Sequence, residues 1–268
     1  MGARKRKLLD MTVAAIQQRW GPQALRRWGP AATPAYQQGQ AATSVSVPHI
    51  PTGFPALDNA LGIGGLPRSR ITEFLGVPTS GMATLALKVV ARAQAMGDMA
   101  AYLDLGYTFD PDYAARCEVN PKQLLLVRPH DGDEALEILY ALVAGRGVGV
   151  LVFDSVSHLI AESHGSRAMS AALRKLTGAL AQSPCVCLFL TPLHFGTATS
   201  NGNYPGGFAL PNYAAVRLLL EKEEWLRKGR DVRGYRARVT VLKNKLGPAG
   251  KQAAIAITFN GVVHGNGT

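Results

Sequence analysis

Hydrophobic positions along this chain change period several times, and the changes mark out its elements. Between Lys7 and Trp20, the apolar residues Leu9, Val13, Ile16 and Trp20 fall at offsets of four, seven and eleven, one face of an amphipathic helix ending at Gly21-Pro22. Such a stripe docks either on its own core or on a neighbouring subunit. From residue 29 to 55, prolines at 30, 34, 48, 51 and 55 and a Gln-Gln-Gly-Gln stretch deny any regular element much length, which reads as a linker. Short apolar runs then alternate with helical patterns. The runs are Ile71 to Leu75, Ala100 to Leu105, Leu124 to Val127, Val148 to Phe153 and Val186 to Leu190. The helical patterns between them are Met82 to Ala95, Pro111 to Cys117, Glu134 to Ala144 and Arg167 to Gln182.

Continuous apolar strands separated by helices are the pattern of a buried parallel sheet. Beyond Gly207 the pattern changes. Val239 and Val241 alternate with Arg238 and Thr240, and Ile255, Ile257 and Phe259 with Ala256 and Thr258, as antiparallel edge strands do. No internal repeat of solenoid length is present. The expected architecture is therefore an α/β fold with a mostly parallel twisted sheet and helices on both faces. The chain divides into a basic segment and helix over 1–28, a linker over 29–55, the α/β core over 56–261 and a tail over 262–268.

Charge adds a class of partner to this picture. With 29 basic and 18 acidic residues the formal charge is +11, which points to a polyanion, nucleic acid first. Basic residues gather at 4–7, at Arg26-Arg27 and along Arg227, Lys228, Arg230, Arg233, Arg236 and Arg238, either as solvated faces or as salt-sensitive contacts to DNA. No run approaches the ~20 apolar residues of a membrane span, so a cytoplasmic protein without membrane contact is expected. Cys185 and Cys187 lie two apart in an apolar run and share one strand face; with Cys117 they read as buried free thiols.

The candidate chemistry follows the first strand. Gly76-Val-Pro-Thr79-Ser80-Gly81-Met82-Ala83-Thr84 has the glycine spacing of a phosphate-binding loop and opens a helix, so backbone N–H groups and the helix N-terminus favour an anion. A working loop has Lys after the second glycine, for the β- and γ-phosphates, and then Ser or Thr for magnesium. Here those positions hold Met82 and Ala83.

Thr52 to Gly76, containing Gly62-Ile-Gly-Gly-Leu-Pro and Thr72-Glu-Phe-Leu-Gly, resembles the entry to the ATPase core of the bacterial RecA recombinases. Further stretches match that family too: Asp104, Asp110-Pro-Asp-Tyr113, Gly132 to Ile138, Val152-Phe-Asp154-Ser-Val, Gly206-Gly-Phe-Ala-Leu, Tyr213 to Arg217 and Val241-Leu-Lys-Asn-Lys245. The resemblance spans about Leu8 to Gly261 and stops before the family's small C-terminal domain. It implies a RecA-like P-loop core in which Tyr113 stacks on adenine and Asp110 accepts from its amino group. Asp154 would reach magnesium through water, although capping the turn after its strand is the plainer role. Lys243 and Lys245 would reach a neighbour's nucleotide in a homo-oligomer.

The departures from the family fall on its activating groups. Leu105-Gly106 stands where the family places the glutamate that polarises water, and Thr191-Pro192 where it places a glutamine that senses the γ-phosphate. No catalytic residue is therefore assigned: the positions that would hold them carry Met82, Ala83, Gly106 and Pro192. Lys88 is the one conceivable replacement for the missing lysine, but it lies more than a turn and a half beyond Met82 along the helix. The stretch from Asp154 to Arg174-Lys175 is shorter than in the family, which removes most of its first DNA loop. The second remains as Leu193 to Pro205, either a plain loop or a contact for single-stranded DNA through His194, Phe195 and Tyr204. Pro211-Asn212 replaces the Lys-Phe pair that couples RecA subunits.

The expected function is that of a RecA-like accessory in the DNA-damage (SOS) response. It would bind single-stranded DNA, a RecA or polymerase partner, or both, with weak retention of ATP or ADP, uncertain use of Mg2+ and little hydrolysis. The alternatives are a subunit of a translesion-polymerase complex resembling the ImuA proteins, a DNA-dependent ATPase with unconventional residues, and a scaffold with no nucleic-acid role.

Overall fold

Turn chemistry and apolar alternation account for most of the elements. The computed structural model describes Gln18 and residues 47–160, 165–193 and 209–259. Met1–Ser46 and Val47–Thr268 form separate units, and apart from the helical Gln18 everything described belongs to the second. The rest of the Lys7 to Trp20 helix lies outside the described residues, and the second unit opens upstream of the boundary read at residue 56. Strand β1 (His49–Ile50) pairs antiparallel with β2 (Leu66–Pro67), and α1 (Pro55–Leu61) lies between them in sequence. Proline at its start sets the helical φ, and Gly62 in the left-handed region at φ 73° ends it.

The chain then runs through β3 (Arg70–Gly76), α2 (Met82–Ala95), β4 (Ala100–Asp104), α3 (Pro111–Arg116), a 3-10 turn at Pro121–Gln123 and β5 (Leu124–Val127). After these come α4 (Gly132–Ala144), β6 (Val150–Asp154), α5 (Ser157–Ile160), α6 (Gly165–Leu180), β7 (Val186–Pro192) and α7 (Leu210–Tyr213). Three strands close the sheet: β8 (Val216–Lys228), β9 (Asp231–Asn244) and β10 (Gln252–Thr258). The order is β10-β9-β8-β3-β7-β6-β4-β5, with parallel pairing from β5 to β8 and antiparallel pairing from β8 to β10.

Because side chains alternate across a strand, the sheet feeds two cores. Tyr102, Leu188 and Leu190 point to one side with α1 and α2, while Leu103, Cys187 and Phe189 point to the other with α4 and α6. Cys185 and Cys187 share that second side, and all three thiols are free and buried. Burial pushes the Cys117 thiol up to about 11 and Cys185 up to about 12, which leaves both protonated and poor nucleophiles at neutral pH. No helix among the described residues is long and apolar enough to cross a membrane.

The β8–β9 hairpin is longer than alternation at Val239 and Val241 indicates. Its inner half, from Val216 to Leu220, is almost wholly buried, whereas Glu221 to Glu224 are exposed. A ribbon with water on both faces carries charge at consecutive positions, so its sequence shows no two-residue period.

Charged groups also enter the interior. Glu73 on β3 is fully enclosed, accepts from Arg217 Nε at 2.6 Å and receives the Thr191 hydroxyl at 2.9 Å. Burial raises the Glu73 carboxyl above its ordinary range, and Arg217 opposes the rise. Lys88, buried on α2, pairs with Glu118 at 2.6 Å.

Candidate functional site

Helix α2 begins where β3 has delivered the chain, and the loop between them folds as its glycines require. Gly81 is the N-cap at φ 102°, and Thr79 adopts φ 69°. A Cβ on Gly81 would also stand 2.6 Å from Ile257 Cδ1 and 3.1 Å from the Tyr235 hydroxyl. Gly81→Ala is therefore expected to cost about 1–3 kcal/mol through backbone strain alone, with crowding in addition. Thermal melts check this: an unchanged midpoint would mean that the loop relaxes freely.

The loop borders a cavity of about 240 Å3 whose walls include Ser80, Met82, Thr84, Tyr113, Asp154 and Tyr235. Met82 is nearly buried at its edge, and no lysine or arginine among the described residues lines it. The Ser80 hydroxyl is enclosed and has no hydrogen-bond partner among the described residues. Tyr113 and Thr84 hydroxyls meet at 2.6 Å. Tyr235 enters from β9, and burial, with the Tyr113 phenol adding to it, pushes its hydroxyl up to about 12.

Asp154 ends β6 and accepts from the Tyr102 hydroxyl at 2.6 Å. Burial raises its carboxyl above the usual range, and the neighbouring Asp104 adds to that rise. Asp104 itself is enclosed and holds the next turn, accepting from the backbone N–H groups of Thr108 at 2.8 Å and Phe109 at 3.2 Å, and from Arg128 Nε at 3.2 Å. That turn contains Gly106, where a Cβ would stand 3.1 Å from His158 Nε2, so an imidazole occupies the space beside the missing glutamate.

A magnesium-bound triphosphate does not fit these residues. Ala83 offers no hydroxyl, Met82 no charge, and Asp154 is a carboxylate whose burial favours its neutral form. Among the described residues no group of His, Cys, Asp or Glu is set to hold a metal ion. What remains for an anion is the backbone at the start of a fourteen-residue helix and the free Ser80 hydroxyl.

The structure thus brings Gly76, Thr79, Ser80, Gly81, Met82, Ala83, Thr84, Tyr113 and Asp154 to one loop and its cavity. Asp110 is used differently from the expectation that it faces a ligand's amino group. Its Oδ1 caps α3, accepting from the N–H groups of Asp112 at 2.9 Å and Tyr113 at 3.0 Å. Lys88 is spent on Glu118. Lys243 Nζ donates to Pro211 O at 2.6 Å and Lys245 Nζ to Asn212 O at 3.3 Å, so in the single chain both lysines tie down α7. Burial lowers Lys243 below its ordinary value, with Lys245 acting in the same direction.

Arg227, Lys228 and Arg230 stand at the exposed hairpin tip around Gly229. His194, Phe195 and Tyr204 lie outside the described residues. Tyr235 and Leu190 are cavity residues that sequence reasoning missed. The inward alternation of Tyr235 with Ala237 and Val239 was the available signal for Tyr235.

A family model described as RecA N-terminal domain matches residues 7–264. The chain is 42% identical over 270 aligned positions to the protein RecA of Symbiobacterium thermophilum, covering 95% of this chain and 74% of that one. It is 40% identical to the protein RecA of Chloroflexus aurantiacus, with 96% and 74% covered, and 40% identical to that of Heliobacterium modesticaldum, with 96% and 76% covered.

Proposed function

The chain belongs to the RecA family, and from that premise we propose that it serves DNA recombination and repair by binding, with ATP turnover near background. The observation that carries this reading is the lining of the cavity: Met82 and Ala83 occupy the phosphate-facing turn, and among the described residues no basic side chain borders it. Removing one preorganised electrostatic group from a transition state costs ~10² to 10³ in rate, and this chain lacks several such groups together. Nucleotide, where admitted, is held by backbone N–H groups without magnesium. DNA is held electrostatically, through a chain of charge +11 with Arg227, Lys228 and Arg230 exposed.

The partner this reading favours is a RecA filament met during the DNA-damage response. There Lys243 and Lys245 would exchange the carbonyls of Pro211 and Asn212 for a neighbour's nucleotide, completing a partner's site. A role in a translesion-polymerase complex is the second reading. It is favoured by the short path from Asp154 through α5 to Arg174 on α6, which leaves little room for a long DNA loop.

Phosphate release from ATP is expected to equal that of a control lacking protein, both with and without single-stranded DNA. DNA-stimulated turnover well above the control would overturn the reading. His158→Ala would then show whether the imidazole beside Gly106 supplies the activation. Retention on single-stranded DNA at low salt tests the binding half independently. Its absence would leave a scaffold.

A further inference from the structure

Trp225, Tyr235 and Ile257 are register partners across β8, β9 and β10, so they lie on one face of the sheet, the face that carries the phosphate-loop cavity. Phe259 continues that face just past β10. Its ring stands 6.0 Å from Tyr235, and Trp225 stands 6.1 Å away on the other side, edge to face. Tyr235 is enclosed, but Trp225 and Phe259 are each 47% exposed. A tryptophan and a phenylalanine held half in water by a buried tyrosine between them form a rigid apolar shelf.

The charge around the shelf is net positive. Lys222 Nζ lies 4.1 Å from the Trp225 ring centroid. From Glu221 to Arg238 there are seven basic and four acidic residues. Three of the acids are answered locally: Glu223 by Arg238, Glu224 by Arg236 and Asp231 by Arg233. Arg227, Lys228 and Arg230 have no ion pair among the described residues, and Arg233 Nε is enclosed without a hydrogen-bond partner. Two half-exposed aromatic rings, one of them already under the Lys222 ammonium, beside cations with no ion pair among the described residues, match a strand of unpaired bases on a polyanionic backbone. An acidic protein surface would satisfy the cations but not the rings, and an apolar one the rings but not the cations.

We propose that this shelf is a stacking site for single-stranded DNA, with bases on Trp225 and Phe259 and phosphates at Lys222 and the hairpin tip. It rests on the DNA-binding reading above and adds to it a site on the outer hairpin. Stacking makes affinity depend on bases as well as on charge.

The test is fluorescence anisotropy with labelled oligothymidylate and an abasic strand of equal length. The unaltered chain is expected to prefer oligothymidylate. Trp225→Ala should weaken that binding about tenfold while leaving the abasic strand unchanged, and Trp225→Phe should restore most of the loss. Arg227→Ala with Lys228→Ala should weaken both strands alike and flatten the salt dependence. Equal affinity for the two strands, an equal loss on both in Trp225→Ala, or no loss on either overturns the shelf while leaving electrostatic DNA binding intact. Failure of the unaltered chain to hold either strand overturns the DNA-binding reading itself. A Trp225→Ala variant that loses only self-association or binding to RecA marks the shelf as a protein interface and also overturns the proposal.

Discussion

Met82→Lys combined with Ala83→Thr is expected to raise the affinity for a slowly hydrolysed, magnesium-bound ATP analogue by about 10- to 100-fold, since a hydrogen bond to a charged group is worth ~1.5–3 kcal/mol. The scaffold for this gain already exists. Gly81 caps α2 in the required left-handed conformation, and the side chain at position 82 leaves the first turn beside the cavity. Thr at position 83 adds the magnesium-binding hydroxyl that alanine lacks. Hydrolysis is expected to stay slow in the same variant, because Gly106 and Pro192 are untouched. Calorimetric titration with and without magnesium separates the outcomes. An unaltered chain that binds the analogue as tightly as the variant would show that the loop is competent as it stands.

Arg217→Met is expected to cost about 3–5 kcal/mol of stability, because it strands the carboxylate of Glu73 in the middle of the sheet. Three strands meet at this pair: Glu73 on β3, Thr191 on β7 and Arg217 on β8. The loss should depend on pH, with its direction fixed by burial. The Glu73 carboxyl already lies above its ordinary value in the folded chain, and Lys243 is the other charge that draws it down. Without Arg217 the folded value rises further, so folding favours the protonated acid. The variant then loses stability as pH rises from the ordinary carboxylate range through the raised folded value, and regains it in acid. Urea titrations at acid and neutral pH measure this. Pairing Arg217→Met with Glu73→Leu should recover much of the neutral-pH loss, since an apolar pair leaves no stranded charge. A flat pH response in Arg217→Met would mean that another group neutralises Glu73.

Much of the parallel half of the fold was legible from the chain. Met82–Ala95 and Leu124–Val127 match the runs and helical patterns read there, and the other strands and helices read in that half differ by a few residues at their ends, while β8 and the short α5 were not read at all. Buried parallel strands with helices on both faces are mostly apolar, and that leaves a legible mark even where Glu73 interrupts β3. The candidate loop was legible for a related reason, since its glycines are demanded by local backbone geometry. The antiparallel half was harder. Glu221 to Glu224 carry no period because both faces of the outer ribbon meet water. Tyr235 becomes a cavity residue only because its strand lies beside Gly81 and Ile257.

The sequence by itself determined the family, the order of the parallel elements and the absence of Lys and Thr from the phosphate loop, because each is a property of residue types at fixed local spacing. The tertiary structure decided what the remaining charges and rings do. Lys88 turned to Glu118, Lys243 and Lys245 to the carbonyls of α7, and His158 to the space beside Gly106. It also set Trp225 and Phe259 on either side of Tyr235, beside the cavity of the loop. Those pairings join residues far apart in the chain, and the distance between two such side chains is fixed by how strands and helices pack.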